Sequence, residues 1–157
     1  MPKVENPLLV SFYANIVDKV LSETSNIDEA NQKLRDLGHE IGQQIYLNTE
    51  IVDKTKDSVT TREDVSKLIE VVYKVLYDKK PNDVDMKTAR GSVRISDKEC
   101  IWCQEVHLEG MLGFGYCEIF SGILEKILEF KGVDAKVFQE MSRATGAEMC
   151  VWNVRLG

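Results

Sequence analysis

Asn26-Ile27-Asp28-Glu29-Ala30-Asn31-Gln32-Lys33-Leu34-Arg35-Asp36-Leu37-Gly38-His39-Glu40-Ile41-Gly42 is the stretch from which the fold of this 157-residue chain is read. It has an acidic start followed by apolar residues at helical spacing. The pattern predicts a helix from Asp28 to about Thr49, with Ala30, Leu34, Leu37, Ile41 and Ile45 on one side. Gly38 and Gly42, four apart, lie one above the other and open a shallow groove on that helix. Each glycine costs about 1 kcal/mol against alanine in a helix. Something must gain from the groove, and the close approach of another helix is the simplest candidate.

Working outward, Leu9, Phe12, Tyr13, Ile16, Val17, Val20 and Leu21 form one stripe of an amphipathic helix, with Asn6 at its N-cap and Pro7 in its first turn. Downstream, the polar run Asp53 to Ser58 has no apolar period and reads as a loop. Thr60 and Glu63 then have the spacing of a capping box. The helix they open carries Val65, Leu68, Ile69, Val72, Tyr73 and Leu76, and stops near Lys79-Lys80-Pro81, where proline blocks extension.

After Asn82 the chain changes character. Ser92 to Ile95 and Cys100 to Val106 read as short strands joined by a hairpin turn at Asp97-Lys98-Glu99. Gly110 to Gly115 holds three glycines and leads, as an apolar entrance to a pocket, into a last helix. That helix carries Ile119, Phe120, Ile123, Leu124, Ile127 and Leu128 and ends at Gly132, a natural C′ residue. Ala135 to Glu140 and Met149 to Leu156 read as two strands around a turn containing Thr145-Gly146. The order of elements gives an α+β fold, a helical layer packed on a small antiparallel sheet, in a single domain spanning 1–157.

Composition narrows the function classes. The net charge of −6 and a pI near 5.0 argue against a nucleic-acid partner, which needs a basic stripe. No run approaches the ~18 apolar residues of a membrane span, and the N-terminus lacks an apolar signal region. The chain is therefore expected to be cytoplasmic, peripheral to membranes at most, with its four cysteines reduced. With two histidines, a His-rich metal site or a Cys/His hydrolase is poorly supplied.

Two stretches resemble a known family, the small subunits of the TRAPP vesicle-tethering complex and the related vinyl-reductase-type ligand-binding domains. One is the acidic start with its leucine and glycine pair, Asn26 to Gly42. The other runs from Ile119-Phe120-Ser121-Gly122-Ile123-Leu124-Glu125 through Gly132 and Ala135-Lys136-Val137 to the terminal hairpin. Helix and strand order is similar as well, over roughly residues 8–156. The resemblance implies a TRAPP-subunit-like fold and a non-catalytic scaffold that works as a dimer with itself or a related subunit. Its role would be vesicle tethering or small-GTPase regulation through a larger complex. Leu9, Phe12, Ile16, Gly38 and Gly42 carry over as dimer-interface residues. In the family an acyl chain sits on a cysteine just before the third helix; Asp57-Ser58-Val59-Thr60 has none, which leaves an apolar tunnel without covalent acylation. The alternative from another class is a stand-alone domain that senses or carries a hydrocarbon or lipid, with zinc nearby.

The chemistry-bearing residues are few. Cys100-Ile101-Trp102-Cys103 is a CxxC, open to packed thiols, metal or redox chemistry. As part of a strand its two cysteines would point to opposite faces, and a redox dithiol would sit at a helix N-terminus. Cys117 starts the last helix, where the dipole favours a thiolate, and Cys150 opens the last strand. Some vinyl-reductase-type domains have a zinc site with a similar layout. That resemblance implies Cys117, Glu140 and Cys150 as metal ligands, with Ser142 where a further cysteine would stand and Cys100 or Cys103 as substitutes; packed free thiols remain the other reading. No cofactor is required by the sequence itself, and the resemblance admits zinc or a bound lipid. His39 reads as interfacial, and His107, beside Glu105 and Glu109, as solvated. The loop at 110–115 lacks a P-loop lysine, and no nucleophile has a visible base and orienter. An enzyme, such as a thiol oxidoreductase, is the third reading.

Overall fold

Three glycines on two helices determine how the helical layer stacks. Helix α2 (Ile27–Asn48) carries Gly38 and Gly42, and helix α5 (Glu118–Phe130) carries Gly122. A Cβ on Gly38 would lie 2.2 Å from the Ile119 carbonyl oxygen, and one on Gly122 would lie 2.0 Å from that of Arg35. The two backbones therefore touch directly. The groove expected on α2 is real, but α5 of the same chain fills it. Gly38 and Gly42 are buried against α5 of the same chain, which corrects their expected place in a dimer interface.

The computed structural model describes residues 6–55, 58–86 and 91–156. Besides α2 and α5, it contains α1 (Pro7–Glu23), the single-turn α3 (Ile51–Lys54) and α4 (Arg62–Tyr77). Four strands, β1 (Asp83–Asp85), β2 (Ser92–Asp97), β3 (Ala135–Met141) and β4 (Cys150–Leu156), form one antiparallel sheet in the order β1-β2-β4-β3. Nine of the thirteen residues of α5 are buried, as suits a helix with the sheet on one side and α2 and α4 on others. The expected α+β architecture is the observed one.

The local differences have local causes. The capping box forms one residue later than expected: Thr61 accepts from the Asp64 amide, and the Asp64 carboxylate accepts from the Thr61 amide. A helix can start at either threonine, and here Asp64 is the acid that reaches back. The helix ends at Tyr77, before the lysines, because Asp78 takes the left-handed conformation (φ 54°). Part of the expected 53–58 loop is helical because Ile51, fully buried, anchors α3 to the core. Lys56 and Asp57 of that loop, and the residues before Asn6, lie outside the described residues. No hairpin forms at Asp97–Glu99. The chain turns there instead through a 3-10 turn, Ile101–Cys103, and β2 pairs with β1 and β4. The short β1 has too few residues for a periodic signal. At the C-terminal end of α5, Gly132 takes φ 81° at C′, as expected.

Register fixes which strand residues face the helices. Val93 opposes Val154, Ile95 opposes Trp152 and Asp97 opposes Cys150, and all six are buried. Cys150 therefore points from the sheet toward α5, while Arg94 and Asn153 share the opposite face.

Candidate functional site

The four cysteines come from three separate segments and meet in the core. Cys100 and Cys103 bracket the 3-10 turn at Ile101–Cys103. In such a turn, side chains three apart eclipse one another, so both sulfurs face the same way. This reverses the expectation of opposite faces, which rested on a strand at 100–106. Cys117 is the N-cap of α5, held by its own amide donating to Gln139 Oε1 (2.8 Å) and its carbonyl accepting from Trp152 Nε1 (3.4 Å). Cys150 begins β4 on the inner face of the sheet.

All four Sγ atoms lie within 4.8 Å of one another, and all four residues are buried. Cys100 and Cys117 approach to 3.5 Å and Cys103 and Cys150 to 3.6 Å, well beyond the ~2.05 Å of a disulfide. Burial pushes the Cys100 and Cys117 thiols up. Cys150 moves the other way, because hydrogen bonds from the other three thiols and from the Arg143 amide (3.5 Å) stabilise its thiolate. The cluster gathers four sulfur donors at one point. Its donor set, four soft sulfurs converging from all sides, fits a tetrahedral thiophilic metal ion.

Aromatic rings wall the cluster off from solvent. Tyr13 of α1 meets Trp102 and Tyr116 edge-on, with centroids at 5.0 and 5.3 Å, and its hydroxyl donates to the Tyr116 carbonyl. Trp102 Nε1 donates to Tyr77 Oη (2.7 Å), and Phe120 packs edge-on against Trp152 at 5.0 Å. Burial raises the Tyr13, Tyr73 and Tyr77 phenols, so they act only as neutral donors and acceptors.

Glu140 does not join the cysteines. Inward-facing Val137 and Gln139 put it on the outer face of the sheet, where it pairs with Arg94 (2.7 Å) and accepts from Asn153 (2.7 Å). Of the ligands expected, Cys117 and Cys150 thus lie in the cluster, beside Cys100 and Cys103, whereas Glu140 does not. Ser142 Oγ instead accepts from the Ala144 amide in the turn at 143–145. His39 bridges α2 to Glu125 of α5 (Nε2–Oε1 2.8 Å), and His107 is exposed on the loop. Glu118, nearly fully buried, accepts from Ser121, the Gln139 amide and Arg35, tying α5 to β3 and α2. No spacing in the sequence announces that cluster.

A second feature lies on the surface. Helix α1 buries Tyr13, Val17 and Val20 but leaves Leu8 79 % and Phe12 67 % exposed, with Leu9 and Ile16 half-buried beside them. The glycine loop at 110–115 borders a groove of about 310 Å³ shared with Gln139–Ser142 and Thr145–Ala147. Beside Val59, where the resemblance placed an acyl group, the cleft lined by Lys54, Thr55, Asp64, Lys67, Leu68 and Val71 measures about 110 Å³. Ligand pockets begin near ~300 Å³. Among the described residues, no helix is long and apolar enough to cross a membrane.

Comparisons with known proteins agree with this architecture. Residues 9–156 match the family model described as transport protein particle (TRAPP) component. The fold is similar to that of a trafficking protein particle complex subunit 3 from Naegleria fowleri, solved covalently bound to palmitic acid. That similarity has a TM-score of 0.82 at 18 % identity, over 96 % of this chain and 93 % of that one. A vinyl-4-reductase family protein from Methanocaldococcus jannaschii is more distant, with a TM-score of 0.51 at 18 % identity, over 100 % of this chain and 84 % of that one. A comparison with curated protein sequences finds no match.

Proposed function

This chain belongs to the TRAPP component family, and from that premise we propose that it is a non-catalytic, dimeric scaffold subunit, folded as a single TRAPP-like domain. The observation that carries the reading is the apolar strip on α1. Leu8 and Phe12 face outward on a helix whose other side is already satisfied by the core. Large exposed apolar side chains grouped on one helix mark a protein–protein contact. Leu9, Phe12 and Ile16 are the residues we assign to it, with a second copy or a related subunit as the partner. Gly38 and Gly42 act behind this surface by holding α2 against α5.

Scaffolding suits the interior as well. The polar clusters are bonded internally: Glu118 to Arg35 and Ser121, and Asp97 to Tyr73 and Lys79. Such groups join elements rather than meet a substrate. The larger role, vesicle tethering or small-GTPase regulation in the cytoplasm, belongs to an assembly of such subunits. A covalent acyl group is left out of this proposal, because every cysteine is gathered in the buried cluster.

Light scattering at micromolar concentration tests the dimer. The wild-type chain should have the mass of two copies, and Phe12→Asp the mass of one with unchanged helix content by circular dichroism. A wild-type monomer that also fails to pair with a related subunit would refute the reading.

A further inference from the structure

We propose that Cys100, Cys103, Cys117 and Cys150 form a closed tetrathiolate site for one zinc ion, which cross-links the 3-10 turn, the N-terminus of α5 and the start of β4. Zinc bound by thiolates at about 2.3 Å in a tetrahedron places its sulfurs about 3.8 Å apart. The two shortest Sγ–Sγ separations are 3.5 and 3.6 Å and none exceeds 4.8 Å, so an ion fits at the centre with small side-chain adjustments.

Buried free thiols are common as small apolar side chains, but packing alone does not explain this arrangement. Apolar thiols have no reason to converge sulfur to sulfur from three segments separated by up to 47 positions in the chain. Here every sulfur is turned toward the other three. Two of the sulfurs also have what a thiolate needs. Cys117 sits at the positive end of the α5 dipole, and the Arg143 amide is aimed at the Cys150 sulfur. The spacing between Cys100 and Cys103 is that of a zinc-binding CxxC, folded as a turn rather than a strand.

The donor set identifies the class of ion. Four thiolates exclude calcium and magnesium, which take oxygen ligands, and a tetrahedral four-sulfur site suits zinc or iron. Zinc needs no redox partner and closes a structural site with four protein ligands. With all four positions taken by protein, no coordination site is left for water or substrate, so the ion's work is to hold the fold together. Its binding releases thiol protons, so acid should release the metal. The assignment stands apart from the tethering reading, because metal content and oligomeric mass are separate measurements.

The full-length chain, purified under reducing conditions from zinc-supplemented medium, should contain about one zinc per chain by elemental analysis. Replacement by cobalt(II) should give the intense visible and thiolate charge-transfer bands of a tetrahedral tetrathiolate, a readout that needs no variant. Cys103→Ser and Cys150→Ser should each lower zinc content and weaken the cobalt thiolate bands. Chelation should lower the melting temperature reversibly. Failure of the metal-free, reduced wild type to take up one equivalent of zinc or cobalt would overturn the site. Octahedral cobalt bands would do the same, as would disulfide pairs in the reduced preparation. Iron or copper at one per chain in place of zinc would overturn the identity of the ion.

Discussion

Gly38→Ala probes the contact on which the helical layer depends. An added Cβ would lie 2.2 Å from the Ile119 carbonyl oxygen and 2.8 Å from Gly122 Cα, whereas ordinary contact begins at 3.4 Å. Those neighbours are backbone, so no rotamer change relieves the clash, and α2 and α5 must part locally by about 1.2 Å at the oxygen. A gap of 0.5–1 Å already forfeits a quarter to a half of the dispersion well between packed atoms. Overpacking in a close-packed interior costs roughly 1–3 kcal/mol, and a backbone clash belongs near the top of that range. Alanine's better helix propensity returns about 1 kcal/mol. The expected net loss is about 2 kcal/mol, or roughly 4–8 °C in melting temperature for a chain of this size. Gly122→Ala, with its Cβ 2.0 Å from the Arg35 oxygen, should lose more, and Gly42→Ala, at 2.8 Å from the nearest atom, less. Urea and thermal unfolding followed by circular dichroism at two protein concentrations would read the effect free of any change in dimerisation. Gly38→Ala at wild-type stability, or about 1 kcal/mol above it, would refute the packing argument.

Two further tests address other parts of the fold. Thr61→Ala should cost about 1 kcal/mol by removing the α4 cap, and Thr60→Ala less; equal effects in urea unfolding would refute the placement of the cap. Burial, only partly offset by Ser121 and Arg35, raises the Glu118 carboxyl above its usual 4.5, so the folded state holds that proton to a higher pH than the unfolded chain does. Its contribution to stability is present below the usual value and is lost as the pH rises through the raised one. Wild type should therefore fall relative to Glu118→Gln over that range, and a difference independent of pH would refute the assignment.

Much of the architecture was legible because it follows from periodicity. The stripes of α1, α2, α4 and α5 and the alternation in β2 follow from burying one face of each element, and Gly132 marks the end of α5 because left-handed backbone suits glycine. The glycine pair announced a close helix contact but could not name the partner. A groove four residues long reads the same whether it is filled from within or by a second chain. The CxxC posed the opposite difficulty. Its residues suit a strand by composition, yet the chain turns there, and a period of three replaced a period of two. Recognising that an i, i+3 pair of thiols suits a 3-10 turn would have put Cys100 and Cys103 on one side.

The amino-acid order by itself determined the four long helices, the strands β2, β3 and β4, the net acidic charge and the family, since these follow from local spacing and summed composition. Only tertiary structure decided that Gly38 meets Gly122, that Glu140 faces outward, and that four sulfurs spread over fifty residues converge at one point. Such outcomes depend on how a turn, a helix end and a strand register add as rotations in space, so a one-residue change in any of them would carry a sulfur to the other side of its element.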